Sequence, residues 1–155
     1  MKSAKLLKSL VIALALTVFV VGCEGEYIET IPVQGTVTLN DEPVENASVA
    51  FVPQSPGGQP AYSNTTSDGT YNLQTLLGAP GAGTTAGDYA VVITKSVLQE
   101  TGRTIKDPVS GQSYPETRGK EVMPRAYTKA STTPFKVTVS EGQENVFDFD
   151  MKSTD

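Results

Sequence analysis

Residues 33–53, VQGTVTLNDEPVENASVAFVP, decide the fold. Val33, Gly35, Val37 and Leu39 fall on one face of an extended chain, and Gln34, Thr36 and Thr38 fall on the other. A period of two is the signature of a strand with one buried face. Asn40-Asp41-Glu42-Pro43 then has the chemistry of a turn, because Asn and Asp bond nearby backbone and Pro presets φ. Alternation resumes with Ala47, Val49 and Phe51 pointing one way. The stretch therefore predicts two strands and a turn.

The same signal recurs outward from it. PQSPGGQP (53–60) reads as a loop by composition. AYSNTT (61–66) reads as a strand, and Ser67-Asp68-Gly69 turns the chain into the strand TYNL (70–73). DYAVVIT (88–94) sets Tyr89, Val91 and Ile93 against Ala90, Val92 and Thr94. TPFKVTV (133–139) places Phe135, Val137 and Val139 on one face. NVFDFDM (145–151) points Phe147, Phe149 and Met151 inward and Asp148 and Asp150 outward. Residues 96–126 are long, polar and broken by Pro and Gly, and read as a loop. No helical period survives outside the N-terminus. Seven short strands predict an all-β protein of two sheets packed face to face. The predicted inner faces are built from Val37, Leu39, Val49, Phe51, Tyr71, Leu73, Tyr89, Val91, Ile93, Phe135, Val137, Phe147 and Phe149.

Composition narrows the chemistry. The 155 residues suit one ordinary domain. Twelve Lys+Arg face 17 Asp+Glu, for a net charge of −5. Nucleic-acid binding needs clustered positive charge, so no nucleic-acid partner is expected. The chain has no His and no Trp. Without His there is no Ser-His-Asp or Cys-His catalysis, no His-ligated metal and no imidazole switch. The single cysteine, Cys23, excludes an internal disulfide and a CxxC motif. No cofactor and no metal are expected.

The N-terminus, MKSAKLLKSLVIALALTVFVVGC, explains that cysteine. Lys2, Lys5 and Lys8 precede an apolar run from Leu10 to Val21 broken only by Thr17. The run is shorter than the ~20 residues of a membrane span and suits the core of a signal peptide. Val20-Val21-Gly22-Cys23 at its end resembles the lipobox of bacterial lipoproteins. That resemblance implies a signal peptide over 1–22, cleavage before Cys23, lipidation of Cys23, and a tether over 23–32. The implied partner is a membrane, held through the lipid at Cys23. In that family an Asp after the cysteine tends to mark inner-membrane retention. Glu24 stands there instead, which favours the outer membrane, with the domain facing the periplasm or the surface. Residues 1–22 hold three lysines and no acid, so the remainder carries 9 Lys+Arg against 17 Asp+Glu, a net −8.

LNDEPVENASVAFVP, TSDGTYNL, AGDYAVVIT, TPFKVTV and FDFDM resemble the carboxypeptidase regulatory-like domain, a transthyretin-like (prealbumin-like) Greek-key sandwich. The likeness covers roughly 33–95 and 132–151, inside a domain placed at 33–152, and is similar to small planctomycete-type lipoproteins. Asp41 stands where the family's first turn usually has Gly, and the 96–126 loop is looser than the family core. The resemblance implies an accessory or structural module and no reaction. The hydroxyisourate hydrolases and intradiol dioxygenases of this fold need histidines that the chain lacks, so the expectation is that it is not an enzyme.

Three motifs hint at chemistry. Gly78-Ala79-Pro80-Gly81-Ala82-Gly83-Thr84-Thr85 nearly spells a phosphate-binding loop, but Thr84 replaces the Lys and a strand follows where a helix is needed. Asp68 beside Gly69 suggests calcium, yet the further carboxylates of a calcium loop are missing, and a turn explains the pair. Asp148 and Asp150 share a strand face roughly 7 Å apart and read as solvated outer-face acids.

Charge distribution gives the main lead. Residues 23–94 hold eight acids and no Lys or Arg, whereas 95–129 hold seven bases and four acids, a local +3. Arg103, Lys106, Tyr114, Arg118, Lys120, Arg125 and Tyr127 are the candidate partner contacts. The opposing reading folds this segment back on the domain's own acidic face. The sequence thus points to a lipid-anchored, non-catalytic envelope β-sandwich for protein or glycan contact or for structural spacing. A carbohydrate-binding module, with Tyr62, Tyr114 and Tyr127 as stacking platforms, is the alternative.

Overall fold

The computed structural model describes residues 28–76, 78 and 83–153. The segment expected to be a signal peptide, Cys23 and the first part of the expected tether lie outside the described residues. In chain order the strands are β1 (Val33–Leu39), β2 (Glu42–Pro43), β3 (Ser48–Pro53), β4 (Ala61–Asn64), β5 (Thr70–Asn72), β6 (Gln74–Thr75), β7 (Gly87–Thr94), β8 (Ser96–Lys106), β9 (Ser113–Glu121), β10 (Lys136–Val139), β11 (Asn145–Val146) and β12 (Phe149–Met151). A 3-10 turn, Arg125–Tyr127, follows β9.

The described residues form an all-β, sandwich-like fold. One sheet runs β10-β7-β3-β4-β6 with antiparallel neighbours. The other is organised around β1, with β2 and β5 antiparallel on one side and β11 and β12 parallel on the other. Each predicted strand is present, and β10 starts at Lys136, three residues later than its sequence pattern.

Phe51 of β3 sits where the two sheets meet. Its ring lies 6.4 Å from Tyr71, 5.8 Å from Tyr89, 6.2 Å from Phe147 and 6.2 Å from Phe149, drawing both sheets onto one aromatic cluster. Nine of the thirteen predicted core residues are fully buried; Leu39, Phe135, Val137 and Phe147 are partly buried against them. Val44, Ala61 and Met123 join the core without having been predicted.

Two positions show local sequence chemistry at work. β1 turns into β2 through Asn40 (φ 53°) and Asp41 (φ 69°), both left-handed, joining the pair Leu39–Glu42. This is the two-residue hairpin turn that matches strand twist. Its second position favours Gly, and Asp41 tolerates it as one of the few side chains that can.

The second is where β11 gives way to β12. Phe147 N donates to Gln34 O at 2.9 Å. A parallel ladder would next bond Thr36 N to Phe147 O. Instead Phe147 O turns inward and accepts from the Tyr71 hydroxyl at 2.8 Å, while the Asp148 carboxylate accepts from Thr36 N at 2.8 Å and Thr36 Oγ1 at 2.7 Å. Asp150 repeats the clasp by accepting from Thr38 Oγ1 at 3.0 Å and pairing with Lys152 at 2.7 Å. The two aspartates therefore fasten the last strand to β1. Lys152 first, and Thr38 after it, hold the Asp150 carboxyl below the usual carboxylate range.

Candidate functional site

The segment read as a long loop is a long hairpin, which corrects that expectation. β8 and β9 pair antiparallel from Ser96–Glu121 to Lys106–Ser113, with a bulge between Glu100 and Thr104 where Gly102 takes φ 77°. Every residue of β8 is exposed, and only Glu116 of β9 is partly covered. A strand is legible in sequence when one face is buried and one is wet. Both faces of this arm are wet, so its residues carry no alternation. The same exposure removes the reading in which the segment folds back onto the acidic face.

The arm's tip is closed by Asp107. Its carboxylate accepts from Val109 N at 2.7 Å and Ser110 N at 3.2 Å, and Asp107 N donates to Gln112 O at 2.8 Å. These bonds, that from Val109 first, hold the Asp107 carboxyl below its ordinary range.

Its root is clamped by Glu121, whose Oε1 accepts from Lys95 N at 2.9 Å and Met123 N at 2.8 Å. Met123 then plugs the core beside Val44. One carboxylate oxygen thereby joins both legs of the arm to the sandwich. Glu121→Ala is expected to speed amide hydrogen exchange at Lys95 and Met123 roughly tenfold, about the worth of one such bond, while amides of β3 and β7 keep their protection.

The arm leaves the sandwich at the pole formed by Leu39, Glu42, Pro43 and Val44, which share a shallow groove with Lys95, Val97, Val122 and Met123. The chain arrives from its N-terminus at the other pole, where Ile31 bridges Thr84 through bonds of 2.7 and 3.1 Å. An open cleft of about 770 Å³ at that pole is lined by Glu29, Ile31, Thr85, Glu141 and Glu144, among others. β7 spans the two poles with eight residues, about 25 Å.

Of the candidate contact residues, the structure brings five together on the arm. Cross-strand register puts Tyr114, Arg118 and Lys120 on one face with Val97 and Ile105, and puts Lys106 on the other with Leu98. Arg103 lies in the bulged stretch. Arg125 and Tyr127 stand apart in the 3-10 turn. Tyr127 stacks on Phe135 at 5.1 Å, and its hydroxyl accepts from Lys152 N at 3.1 Å, so it forms part of the domain wall.

The charge reading also sharpens. Between 96 and 121 the arm has four bases, Arg103, Lys106, Arg118 and Lys120, and four acids, Glu100, Asp107, Glu116 and Glu121. The arm is thus neutral, and the local +3 comes from Lys95, Arg125 and Lys129 around its root. Among the described residues none of the arm's cations makes an ion pair. Sequence reasoning missed the arm's exposed aliphatics: Leu98 is 79% exposed, Ile105 54% and Val109 93%. Nothing in their spacing separates them from a buried strand.

The other motifs resolve structurally. Thr84 is fully buried, donating to Gln59 O at 2.7 Å and lying 3.1 Å from the Tyr89 hydroxyl, so it faces no phosphate. Asp68 accepts from Thr66 and Thr70 hydroxyls in a tight turn, and these bonds, Thr66 first, lower its pKa. Among the described residues no cluster of acids and cysteine is arranged to hold a metal, and no helix is long and apolar enough to cross a membrane.

No protein-family model matches the chain. No curated protein matches it either. Among solved structures it is similar to a 9R-lipoxygenase from Cyanothece PCC8801, at 15% identity and a TM-score of 0.35, over 83% of this chain and 18% of that one. That match is to an enzyme, and it corrects the flat expectation that this chain is not one: the exclusion is withdrawn. At this TM-score the likeness carries no argument for shared chemistry.

Proposed function

We propose that this chain is a lipid-anchored protein of a bacterial cell envelope whose β-sandwich, of the transthyretin-like type, presents the β8–β9 hairpin as a contact arm for an envelope partner. The observation that carries the reading is the placement of the arm. It is exposed along its length and leaves the pole opposite to the one where the chain arrives from Cys23. A lipid at Cys23 would hold one pole near the membrane and display the arm at the other. Loops and projections on a rigid β scaffold commonly carry binding.

The finer fold assignment rests on the turns. Left-handed Asn40 and Asp41, and Gly69 at φ 78°, fall where the resembled family places its first turn and its Asp-Gly turn. The glycan reading has less support. Tyr62 on β4 and Tyr114 on β9 belong to different sheets, and Tyr127 is packed on Phe135, so the three offer no shared stacking platform.

The test excises the arm and leaves its root. Val97 and Lys120 are cross-strand partners, so replacing 98–119 by Asn-Gly closes the ladder with a two-residue turn. The shortened full chain is expected to stay in the membrane fraction and to lose the envelope proteins crosslinked to it in intact cells. An unchanged set of crosslinked proteins would refute the arm as the contact device.

A further inference from the structure

The ladder shows which backbone groups of the arm lack partners. Val122 N donates to Lys95 O at 2.9 Å, which makes 95–122 a hydrogen-bonded pair. Bonded and non-bonded pairs alternate in an antiparallel ladder. The N–H and C=O groups of Ser96, Leu98 and Glu100 therefore point away from β9. From the tip, the bond of Asp107 N to Gln112 O sets the same alternation, and the outward residues of β9 are Ser113, Pro115, Thr117, Gly119 and Glu121.

Most of this edge is blunted. Pro115 stands at an outward position and has no N–H to offer a neighbouring strand, a common protection of an edge. The bulge at Gly102 breaks the outer half of β8. The regular root half of β8, Ser96–Glu100, has neither device, and it carries Leu98 almost fully exposed.

We propose that this edge pairs with the same edge of a second copy, antiparallel and centred on Leu98, to join two arms in one four-stranded sheet. The proposal names the partner of the contact arm and so rests on that reading. Centring on Leu98 pairs all three outward residues at once. Leu98 meets its own equivalent, Val97 meets the second copy's Gln99, and Ser96 meets its Glu100. No like charges face each other. The corresponding pairing of β9 about Gly119 would set Arg118 opposite Lys120, a destabilising arrangement.

Antiparallel arms bring the outer half of each, with Arg103 and Lys106, level with the root of the other. There Glu42 lines the groove beside Lys95 and Val97, and Asp41 is paired with Lys152, so the root presents both signs of charge. Five paired residues make a small interface, below the ~1,200 Å² of stable complexes. Holding both copies on one membrane would raise their effective concentration.

The experiment introduces single cysteines into the full chain with Cys23→Ser as background, as concentrated purified protein, so that mass action stands in for the membrane. Across a hydrogen-bonded antiparallel pair, Cα atoms lie about 5.5 Å apart, within disulfide range. Leu98→Cys is expected to form a disulfide-linked dimer under mild oxidation, at least tenfold more than Val109→Cys at the still more exposed tip. Leu98→Lys, with Cys23 intact in detergent, is expected to weaken self-association at least tenfold by sedimentation velocity with an unchanged circular-dichroism spectrum. Equal crosslinking at 98 and 109, or unchanged sedimentation of Leu98→Lys, would overturn the pairing. In that case, loss of crosslinked envelope proteins from the arm-excised chain would still uphold the arm as a contact device for a different partner.

Discussion

Gly35→Ala is expected to destabilise the domain by roughly 3 kcal/mol or more, at the upper end of overpacking costs, and to lower its melting temperature by on the order of 10 °C. A Cβ at position 35 would lie 2.6 Å from the Phe147 carbonyl carbon, closer still to the oxygen, and 3.1 Å from the Tyr71 ring. The obstacle is backbone, so no side-chain rotation relieves it. The last strand would have to move off β1, taking with it the Tyr71–Phe147 bond and the Asp148 clasp on Thr36. Tyr71→Phe separates the two contributions. It removes the hydroxyl, leaves the carbonyl without that donor, and is expected to cost about 1–2 kcal/mol. Urea denaturation of the two variants and the double variant checks this. Because the clasp is already broken in Gly35→Ala, the double variant is expected to be little worse than Gly35→Ala alone. Gly35→Ala melting at the wild-type temperature would refute the close approach.

This close approach shows where sequence reasoning stops. The alternation of NVFDFDM gave the inward face of the last strand and the outward face of Asp148 and Asp150. It did not give the inward turn of the Phe147 carbonyl, because a side-chain period says nothing about which backbone oxygen leaves the ladder. Gly35 sat in the pattern as a weak inward residue, and its purpose depends on a strand 112 positions later. β1, β3 and β7 were legible for the opposite reason: each has one buried face, and burial imposes the period of two. The arm has no buried face, so Ser96–Lys106 and Ser113–Glu121 looked like loop. Its charged residues were found by counting, but counting merged the neutral arm with the basic root formed by Lys95, Arg125 and Lys129. Only cross-strand register separates Arg118 and Lys120 from Lys106, and it requires knowing that the bulge at Gly102 shifts the pairing.

Cys23→Ser is the second large effect, and its readout is close to all or none. In the proposed reading the Cys23 thiol is lipidated, and the new amino terminus is acylated. Each buried methylene contributes about 0.8 kcal/mol to membrane attachment, and one chain alone holds only marginally whereas two hold stably. Serine has no thiol to receive the lipid, so the first step fails and the later steps with it. The expected result is either a soluble protein or an uncleaved precursor longer by residues 1–22, seen by fractionation and by intact mass. The mass of the wild-type mature protein should exceed that of residues 23–155 by its acyl groups. A Cys23→Ser chain that is processed before position 23 and still sediments with membranes would sink the lipid anchor. It would leave the architecture of the arm untouched, because the fold from Val33 onward is set by β1 and its partners. The anchor matters to the arm through geometry alone. With the N-terminal pole released from the membrane, two arms must meet in three dimensions, and a contact as small as Ser96–Glu100 is expected to weaken in cells even though its own residues are unchanged.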